Sequence, residues 1–465
     1  MALVFLGIVP SLADEATNAP SSAFMRFAQR DYLLGDWGGL RTDLSNRGID
    51  FEFFYGGSFP DNLSGGARRG GVYQGGFLMD MSLDSEKLVG YEGGTFNVSS
   101  LWLNGTKPFS TYSDGTPAYV GDLNKVNLFD FPNAFRLWEL WYQQRLFDNK
   151  LALKVGELSI DRDFVVPELF TSLGAVTLIN QTWFFPTLLF DVYDIPGLPP
   201  HGNGLAATPN TAPGAVLRYD ALPRFYLQAG AYGGQPDQSH SGTTFPLNQD
   251  QGGLFYYEMG YHFNLSSNDD GLAGSYKLGG FYHSGDFSDV YQGVTSAFLA
   301  QAGLPAPPVN DIHGNYGAYL LAEQQLYREQ DNRDRAKQGL VAFMRLLGAP
   351  ADRNLAEFEA DGGFVYKGLI PTRDWDTLAF GASYLEISHD IASAQENANN
   401  LALLFGAPAP FPRVADYEGV LEVSYKAQLT AWWTLQPSLQ RVFHPGGSAT
   451  LPDATVFILQ TTLRF

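Results

Sequence analysis

The last fifty residues restrict what this chain can become more than any other stretch. In an extended chain Tyr417, Gly419, Leu421, Val423 and Tyr425 point one way, while Glu418, Val420, Glu422, Ser424 and Lys426 point the other, so one face is apolar and one polar. A turn near Ala427–Leu429 reverses the chain. Trp433, Leu435, Pro437 and Leu439 then alternate with Thr434, Gln436, Ser438 and Gln440, and a last segment sets Thr455, Phe457, Leu459, Thr461, Leu463 and Phe465 against Gln460, Thr462 and Arg464. The chain reaches Phe465 still inside a strand. Such a strand needs a partner for its backbone groups, and the first strand of the same sheet supplies one by closing a barrel.

Composition agrees with a membrane barrel. Gly 51, Phe 35, Tyr 24 and Trp 8 among 465 residues make an aromatic, glycine-rich chain in which charged residues are only 17%. No run approaches the roughly 18–20 consecutive apolar residues of a membrane helix. A barrel hides its membrane face from hydropathy because every second residue faces the lumen. Cysteine is absent, which removes disulfides and thiolate metal sites and suits an oxidising compartment. A formal charge of -20 argues against nucleic acid as a partner. It fits either solubility of exposed loops or an electronegative lumen that repels anions.

At the other end, Ala2–Val9 is apolar, and Pro10-Ser11-Leu12-Ala13 before Asp14 resembles a signal-peptide cleavage region, without a basic n-region. Residues 1–13 are therefore expected to be a signal peptide, either complete or truncated at its start, and 14–48 an N-terminal arm, flexible over Asn18–Gln29. Within the arm, Asp36 is placed to cap a helix, Trp37, Leu40 and Leu44 recur at helical spacing, and Gly48 sits where a stop belongs. This predicts a short amphipathic helix of about three turns. Its apolar stripe would seal against the barrel or, less simply, bind a ligand.

From Ile49 to Phe465 the alternation predicts sixteen strands, at 49–56, 72–84, 94–104, 134–146, 150–160, 214–220, 224–234, 253–265, 273–285, 315–328, 338–348, 355–367, 376–387, 416–428, 430–441 and 453–465. Phe255, Tyr257, Met259, Tyr261 and Phe263 oppose Tyr256, Glu258, His262 and Asn264; Phe77, Met79, Met81 and Leu83 oppose Leu78, Asp80, Ser82 and Asp84. A soluble core would not leave so many carboxylates facing its interior.

Connection lengths sort by parity. Short links fall at Phe147–Asn149, Ala221–Pro223, Ser266–Leu272 and Leu429, and long ones at Gly105–Asn133, Asp161–Pro213, Gln235–Gly252, Asp286–Gly314 and Ile387–Ala415. Outer-membrane barrels have short periplasmic turns and long external loops. Ala349–Asn354 is shorter than its class. Trp138, Trp141, Tyr142, Tyr219, Phe225, Tyr232, Trp432 and Trp433 lie near strand ends, where aromatic rings prefer the headgroup layer.

The run Leu34-Gly35-Asp36-Trp37-Gly38-Gly39-Leu40-Arg41 with Gly48-Ile49 resembles the N-terminal signature of the carbohydrate-selective porin (OprB-type) family of bacterial outer membranes. Trp138-Glu139-Leu140-Trp141-Tyr142-Gln143-Gln144 through Leu153-Lys154-Val155-Gly156-Glu157-Leu158 is similar to that family's strand-turn-strand block, and Leu463-Arg464-Phe465 to the terminal aromatic that outer-membrane barrels present to their assembly machinery. The resemblance implies a sixteen-stranded antiparallel transmembrane β-barrel with long loops folded inward, admitting small sugars by diffusion. Members often carry a lysine where Glu157 stands, so the local charge is reversed here.

A passive pore needs no nucleophile, metal or cofactor; it needs a wet constriction with donors, acceptors and stacking faces. The candidate is the Asp161–Pro213 connection, with Asp161, Arg162 and Asp163 at its start, Trp183-Phe184-Phe185 at its middle and Asp191 and Asp194 beyond. Charged groups bind sugar hydroxyls strongly, and aromatic rings stack on sugar C–H faces. The same residues read equally as a surface ion pair and a wall anchor. Parity places Asp80, Glu139, Lys154, Arg218, Glu258, Arg345, Glu357, Glu359, Glu422 and Lys426 on the lumen side, because Lys or Arg facing lipid at the midplane costs roughly 2–4 kcal/mol. Arg218 and Arg345 opposite an acidic wall would set up a transverse field.

The seven histidines are scattered without metal-site spacing, and no Gly-x-Ser-x-Gly occurs. The expectation is a non-enzymatic outer-membrane porin, with lipids and small sugars as partners. A general, weakly cation-selective pore and a non-transport barrel are the alternatives. Parity locates no apolar patch that would choose monomer or trimer.

Overall fold

The computed structural model describes residues 23–110, 117–169, 177–190, 208–246, 252–265, 269, 271–329 and 338–465. The expected signal peptide at 1–13, and Asp191 and Asp194, lie outside them. One antiparallel sheet closes on itself. Its strands are β1 Ile49–Ser64, β2 Gln74–Asp84, β3 Gly94–Gly105, β4 Ala134–Leu146, β5 Leu151–Leu158, β6 Ala212–Leu222, β7 Phe225–Gly233 and β8 Gly253–Phe263. It continues through β9 Gly274–Ser288, β10 Asp311–Arg328, β11 Gly339–Gly348, β12 Ala356–Lys367, β13 Thr377–Ile387, β14 Tyr417–Thr430, β15 Trp433–Phe443 and β16 Ala454–Arg464. A two-residue piece, Gly70–Gly71, adds to β1 at Asp61 and Asn62. Each strand pairs with its chain neighbour, and β16 returns to β1 with Phe54 opposite Arg464 and Asp61 opposite Phe457.

All sixteen predicted strands are present, with ends shifted by a few residues except at the outer half of β1, which runs on to Ser64. The alternation is turned outside in, as a bilayer requires. Along β8, Phe255, Tyr257, Met259 and Tyr261 are 44–55% exposed, whereas Tyr256 and Glu258 are 1% and 3% exposed. The hairpin between β14 and β15 turns at Ala431–Trp432, not at Leu429, because β14 slips register between Gln428 and Thr430 and continues to Thr430. Aromatic placement differs too: Trp138 and Tyr232 are buried on the inner side of the wall rather than at its lipid edge.

Long connections gather at one end. Two carry helices, α2 Val290–Gln301 and α3 His389–Leu404, which pack against each other. Between β11 and β12 the link stays short. At the opposite end, the arm forms a short helical segment, Ala23–Ala28, then a 3-10 turn, Trp37–Gly39, and the helix α1, Leu40–Asn46. The predicted three turns are cut short because Trp37, Gly38 and Gly39 all take left-handed φ values of 51°, 72° and 97°. Asp36 instead binds Thr42, its Oδ1 accepting from the backbone N and Oγ1 at 2.9 Å each. The Trp37 ring lies 6.1 Å and 6.0 Å from the rings of Phe51 and Phe53, so the arm packs on the β1 edge. Leu33 N donates to Arg464 O at 2.8 Å and Phe465 N to Phe53 O at 2.9 Å, fastening the seam where the sheet closes.

Candidate functional site

The connection from β5 to β6 packs along the inward-facing side chains of the wall. Its first turn, Ile160–Arg162, follows Leu158, which is wholly buried. Asp161 is spent on the loop itself: its carboxylate accepts from Ser159 Oγ at 2.5 Å, Thr208 N at 2.9 Å and Thr208 Oγ1 at 2.8 Å. Those bonds join the start of the connection to its end.

Arg162 and Asp163 meet residues of β4 and β5. Lys154 Nζ lies 2.9 Å from Asp163 Oδ2 and 4.0 Å from Glu139 Oε1, and Arg162 Nε lies 3.8 Å from Glu139 Oε2. A slip in the β3–β4 register between Val98 and Ser100 brings Trp138 and Glu139 both inward. Arg162 then sits 4.9 Å over the Trp138 ring and Lys154 4.8 Å over that of Trp141. The cluster holds two cations, two carboxylates and two indoles, a set that offers donors, acceptors and faces together.

Further along, the wall carboxylates hold the backbone of the connection. Glu258 accepts from Val165 N at 3.2 Å, Glu359 from Leu188 N and Thr182 Oγ1 at 2.8 Å each, and Glu422 from Ile179 N at 2.7 Å and Asn180 N at 3.1 Å. Trp183 Nε1 donates to Glu422 at 2.7 Å, and its ring is buried against Phe343. Two wall carboxylates were not singled out from sequence, one holding this connection and one holding the β3–β4 and β15–β16 connections. Glu323 accepts from Glu168 N at 2.6 Å and Leu169 N at 3.0 Å, and Glu418 accepts from Leu123 N, Asn124 N and Gly446 N. Glu418 lay on the polar face of its strand, so parity alone could have found it.

Apolar packing reinforces these bonds. Ile160, Phe164, Leu178, Trp183 and Leu189 form one buried cluster with Tyr256, Tyr319, Phe343, Val365 and Leu385 of the wall. Glu168 in the connection is held below the usual carboxylate range: burial pushes it up, but the Lys277 ammonium 3.1 Å away more than offsets this. Lys277 also donates to Val166 O at 2.6 Å.

The remaining predicted residues are placed apart from this cluster. Arg345 is 1% exposed and closes on Asp361 at 2.8 Å, with a further bond to Thr182 O. Arg218 pairs with Asp220 at 3.0 Å near the short turn after β6 and lies 3.8 Å over the Tyr226 ring. The transverse pair expected of Arg218 and Arg345 is therefore not formed by free guanidiniums. Glu157 shares the parity of outward-facing Leu153 and Val155 and is buried beside Arg136, Thr211 and Asp237, away from Lys154. Glu357 does not join Glu359, because a bulge between Ala356 and Phe358 breaks the alternation; it takes His389 Nδ1 at 2.6 Å instead. Asp80 accepts from the Asn97 amide at 3.0 Å. Lys426 is buried on the inner face of β14. Among the described residues no three His, Asp or Glu side chains converge as a metal would need.

Residues 68–465 match the family model for carbohydrate-selective porins of the OprB family. The chain is 27% identical over 432 residues to Porin B of Pseudomonas aeruginosa, covering 91% of this chain and 89% of that protein. It is 23% identical over 457 residues to the putative porin QuiX of Acinetobacter baylyi, covering 94% and 93%. The high-pH structure of OprB from Pseudomonas putida superposes with a TM-score of 0.78 at 23% identity, over 94% of this chain and 99% of that one.

Proposed function

The chain belongs to the OprB family of carbohydrate-selective porins of the bacterial outer membrane, and from that membership we propose that it passes small carbohydrates by diffusion, without chemistry, through a water-filled barrel narrowed by its β5–β6 connection. One observation carries the reading. Backbone N–H groups spread along that connection are accepted by carboxylates on four separate strands, Glu258, Glu323, Glu359 and Glu422, so the segment is tied along the inner wall over much of its length. Buried backbone donors need partners, and these carboxylates supply them where the sheet cannot.

The narrow part is assigned to Arg162, Lys154, Asp163 and Glu139 with Trp138 and Trp141. The half-buried Arg162 guanidinium and Asp163 carboxylate exchange for water around sugar hydroxyls, the half-buried Trp141 indole offers a C–H stacking face, and the buried Lys154, Glu139 and Trp138 hold them in place. Asp161, Trp183, Glu258, Glu359 and Glu422 act as anchors that shape the opening. Liposome swelling tests this directly: glucose should enter faster than maltose and maltose faster than maltotriose. Equal exclusion of all three would refute a sugar pore and favour a non-transport barrel.

The net charge of -20 favours a second reading, a general pore biased toward cations. Reversal potential in a salt gradient separates the two. A strong cation bias with no grading among sugars would support the general pore, and Arg162→Ala should then deepen the bias by removing a positive charge from the narrow part.

A further inference from the structure

β4 pairs with β5 only from Leu140 opposite Glu157 to Leu146 opposite Leu151, so its first half, 134–139, has no β5 residue beside it. The β7–β8 connection folds back over this half. Ser241 O accepts from Leu137 N at 2.8 Å, and Asp237 N donates to Thr211 O at 2.7 Å. Gly242, at a φ of 64°, lies so close that a Cβ there would stand 2.0 Å from Leu137 O. Residues 236–244 thus form a strap across the wall at the point where the chain leaves β5 for the lumen.

Arg136 holds the strap and one end of the β5–β6 connection at once. Nη2 donates to Asp237 O at 2.5 Å and Nη1 to Asn210 Oδ1 at 2.9 Å. Asn210 follows Thr208, which Asp161 ties to the start of that connection. Glu157 is buried beside this junction, and it, Arg136, Thr211 and Asp237 are each 4% exposed or less. Neither Glu157 carboxyl oxygen has a hydrogen-bond partner among the described residues, nor has Arg136 Nε or Thr211 Oγ1. The Asp237 carboxylate, by contrast, accepts from Ser239 N and Thr244 N at 2.8 Å each. The charged groups acting on Glu157 are Arg136 of β4 and Asp237 of the strap, and the Thr211 hydroxyl faces it from the approach to β6. His240, the strap's other titratable group, is exposed.

We propose that Glu157 is a proton-operated clasp: it carries a proton while the strap is closed, and losing it draws Arg136 away from Asp237 and Asn210, loosening the strap and the end of the β5–β6 connection together. A carboxyl without donors in a dry site stays neutral, whereas its ionised form demands a partner. Arg136 can supply one. Both of its present acceptors are neutral oxygens, and a carboxylate binds a guanidinium more strongly than either. The proton passes to bulk water, and the guanidinium stays charged throughout. The consequence for permeation rests on the β5–β6 connection being the narrow part of a sugar pore; the motion of the strap does not.

The test uses the full-length protein in lipid vesicles. Hydrogen exchange at Leu137 N, corrected for intrinsic rates, should quicken about tenfold between pH 5 and pH 9, the effect of losing one hydrogen bond to a charged group. It should stay level in Glu157→Gln, which is neutral at both. Infrared difference spectra over the same range should show the loss of one protonated-carboxyl band that the variant lacks. Maltose uptake should change with pH in the wild type only. Level exchange in the wild type, or the same rise in both proteins, would overturn the clasp, and the wild-type measurement decides alone if Glu157→Gln does not insert. Wild-type vesicles that take up no sugar at either pH would overturn the sugar pore, and Leu137 exchange would still decide the clasp.

Discussion

The indole Nε1 of Trp183 donates to Oε2 of Glu422 across 2.7 Å, joining residues 239 positions apart in the chain. The same carboxylate accepts from Ile179 N, Asn180 N and Ser438 Oγ. Glu422→Ala leaves four donors without this acceptor in a site closed to water, at roughly 1–3 kcal/mol for each that stays unpaired. The expected result is a loss of at least about 3 kcal/mol in urea unfolding, with a larger and noisier single-channel conductance. Trp183→Phe removes one bond and should cost about 1–2 kcal/mol. A Glu422→Ala pore with wild-type conductance and stability would show that these bonds do not hold the connection.

Gly381 faces that indole. A Cβ built there would stand 2.7 Å from Cζ2 and Cη2 of Trp183, nearer than side chains tolerate. Gly381→Ala should therefore displace the ring, at about 1–3 kcal/mol of overpacking, and change conductance in the same direction as Glu422→Ala. Combining Gly381→Ala with Trp183→Phe should recover part of the loss, since the smaller ring frees the space. A double variant no better than the sum of the singles would mean that the clash is relieved elsewhere.

Arg345 and Asp361 form an ion pair in which both side chains are almost wholly buried. Removing one partner strands the other charge, so Asp361→Asn or Arg345→Met alone should cost about 3–5 kcal/mol, while the double variant Arg345→Met with Asp361→Leu should recover much of it. A thermodynamic cycle by chemical denaturation measures the coupling. Equal losses in the single and double variants would argue that the bond from Arg345 to Thr182 O matters more than the pair.

The barrel could be read from the sequence because lipid enforces a strict rule: at β8 every second residue from Phe255 to Tyr261 must be apolar, whatever the lumen does. The inner surface obeys no such rule. Tyr319, Leu321 and Glu323 all point inward on β10, so Glu323 is hidden in a stretch without contrast. Glu357 departs from its expected side because it is itself the extra residue of a bulge, without a partner on β13. For Trp183, the ring's orientation depends on a carboxylate on a distant strand, and no local pattern encodes that meeting. The shortened arm helix did carry a local signal, the adjacent Gly38 and Gly39.

Asp122, in the β3–β4 connection, has its carboxyl pushed well above the usual range by burial, with the neighbouring Glu418 carboxylate adding to the shift. The folded protein thus binds this proton more tightly than the unfolded chain. Stability should be highest below the ordinary carboxylate value near 3.8 and should fall as pH rises through the raised value. Asp122→Asn removes the titration while an amide oxygen can still accept from Val126 N, which lies 2.9 Å from Asp122 Oδ2. The variant should therefore gain stability over the wild type at pH 8 and lose that advantage at pH 4. A constant difference between the two proteins across that range would sink the assignment.

His389, at the start of α3, is an exposed group whose pKa is also raised, here because its charged form gains a partner. Its hydrogen bond to Glu357 raises its pKa, and the Glu357 and Asp390 charges add to the effect. The contribution is complete below the ordinary histidine value of 6.5 and is lost as pH climbs through the raised one. Because the pair is solvent-exposed, its effect is local and salt-sensitive. Amide exchange in the first turn of α3, corrected for intrinsic rates, should speed up between pH 6 and pH 8 in the wild type and stay level in His389→Gln. High salt should flatten the wild-type response. If α3 exchanges with the same pH dependence in both proteins, the clip between β12 and the helix carries no weight in holding the β13–β14 connection, and the apolar contacts of Ile391 and Ala394 must hold it alone.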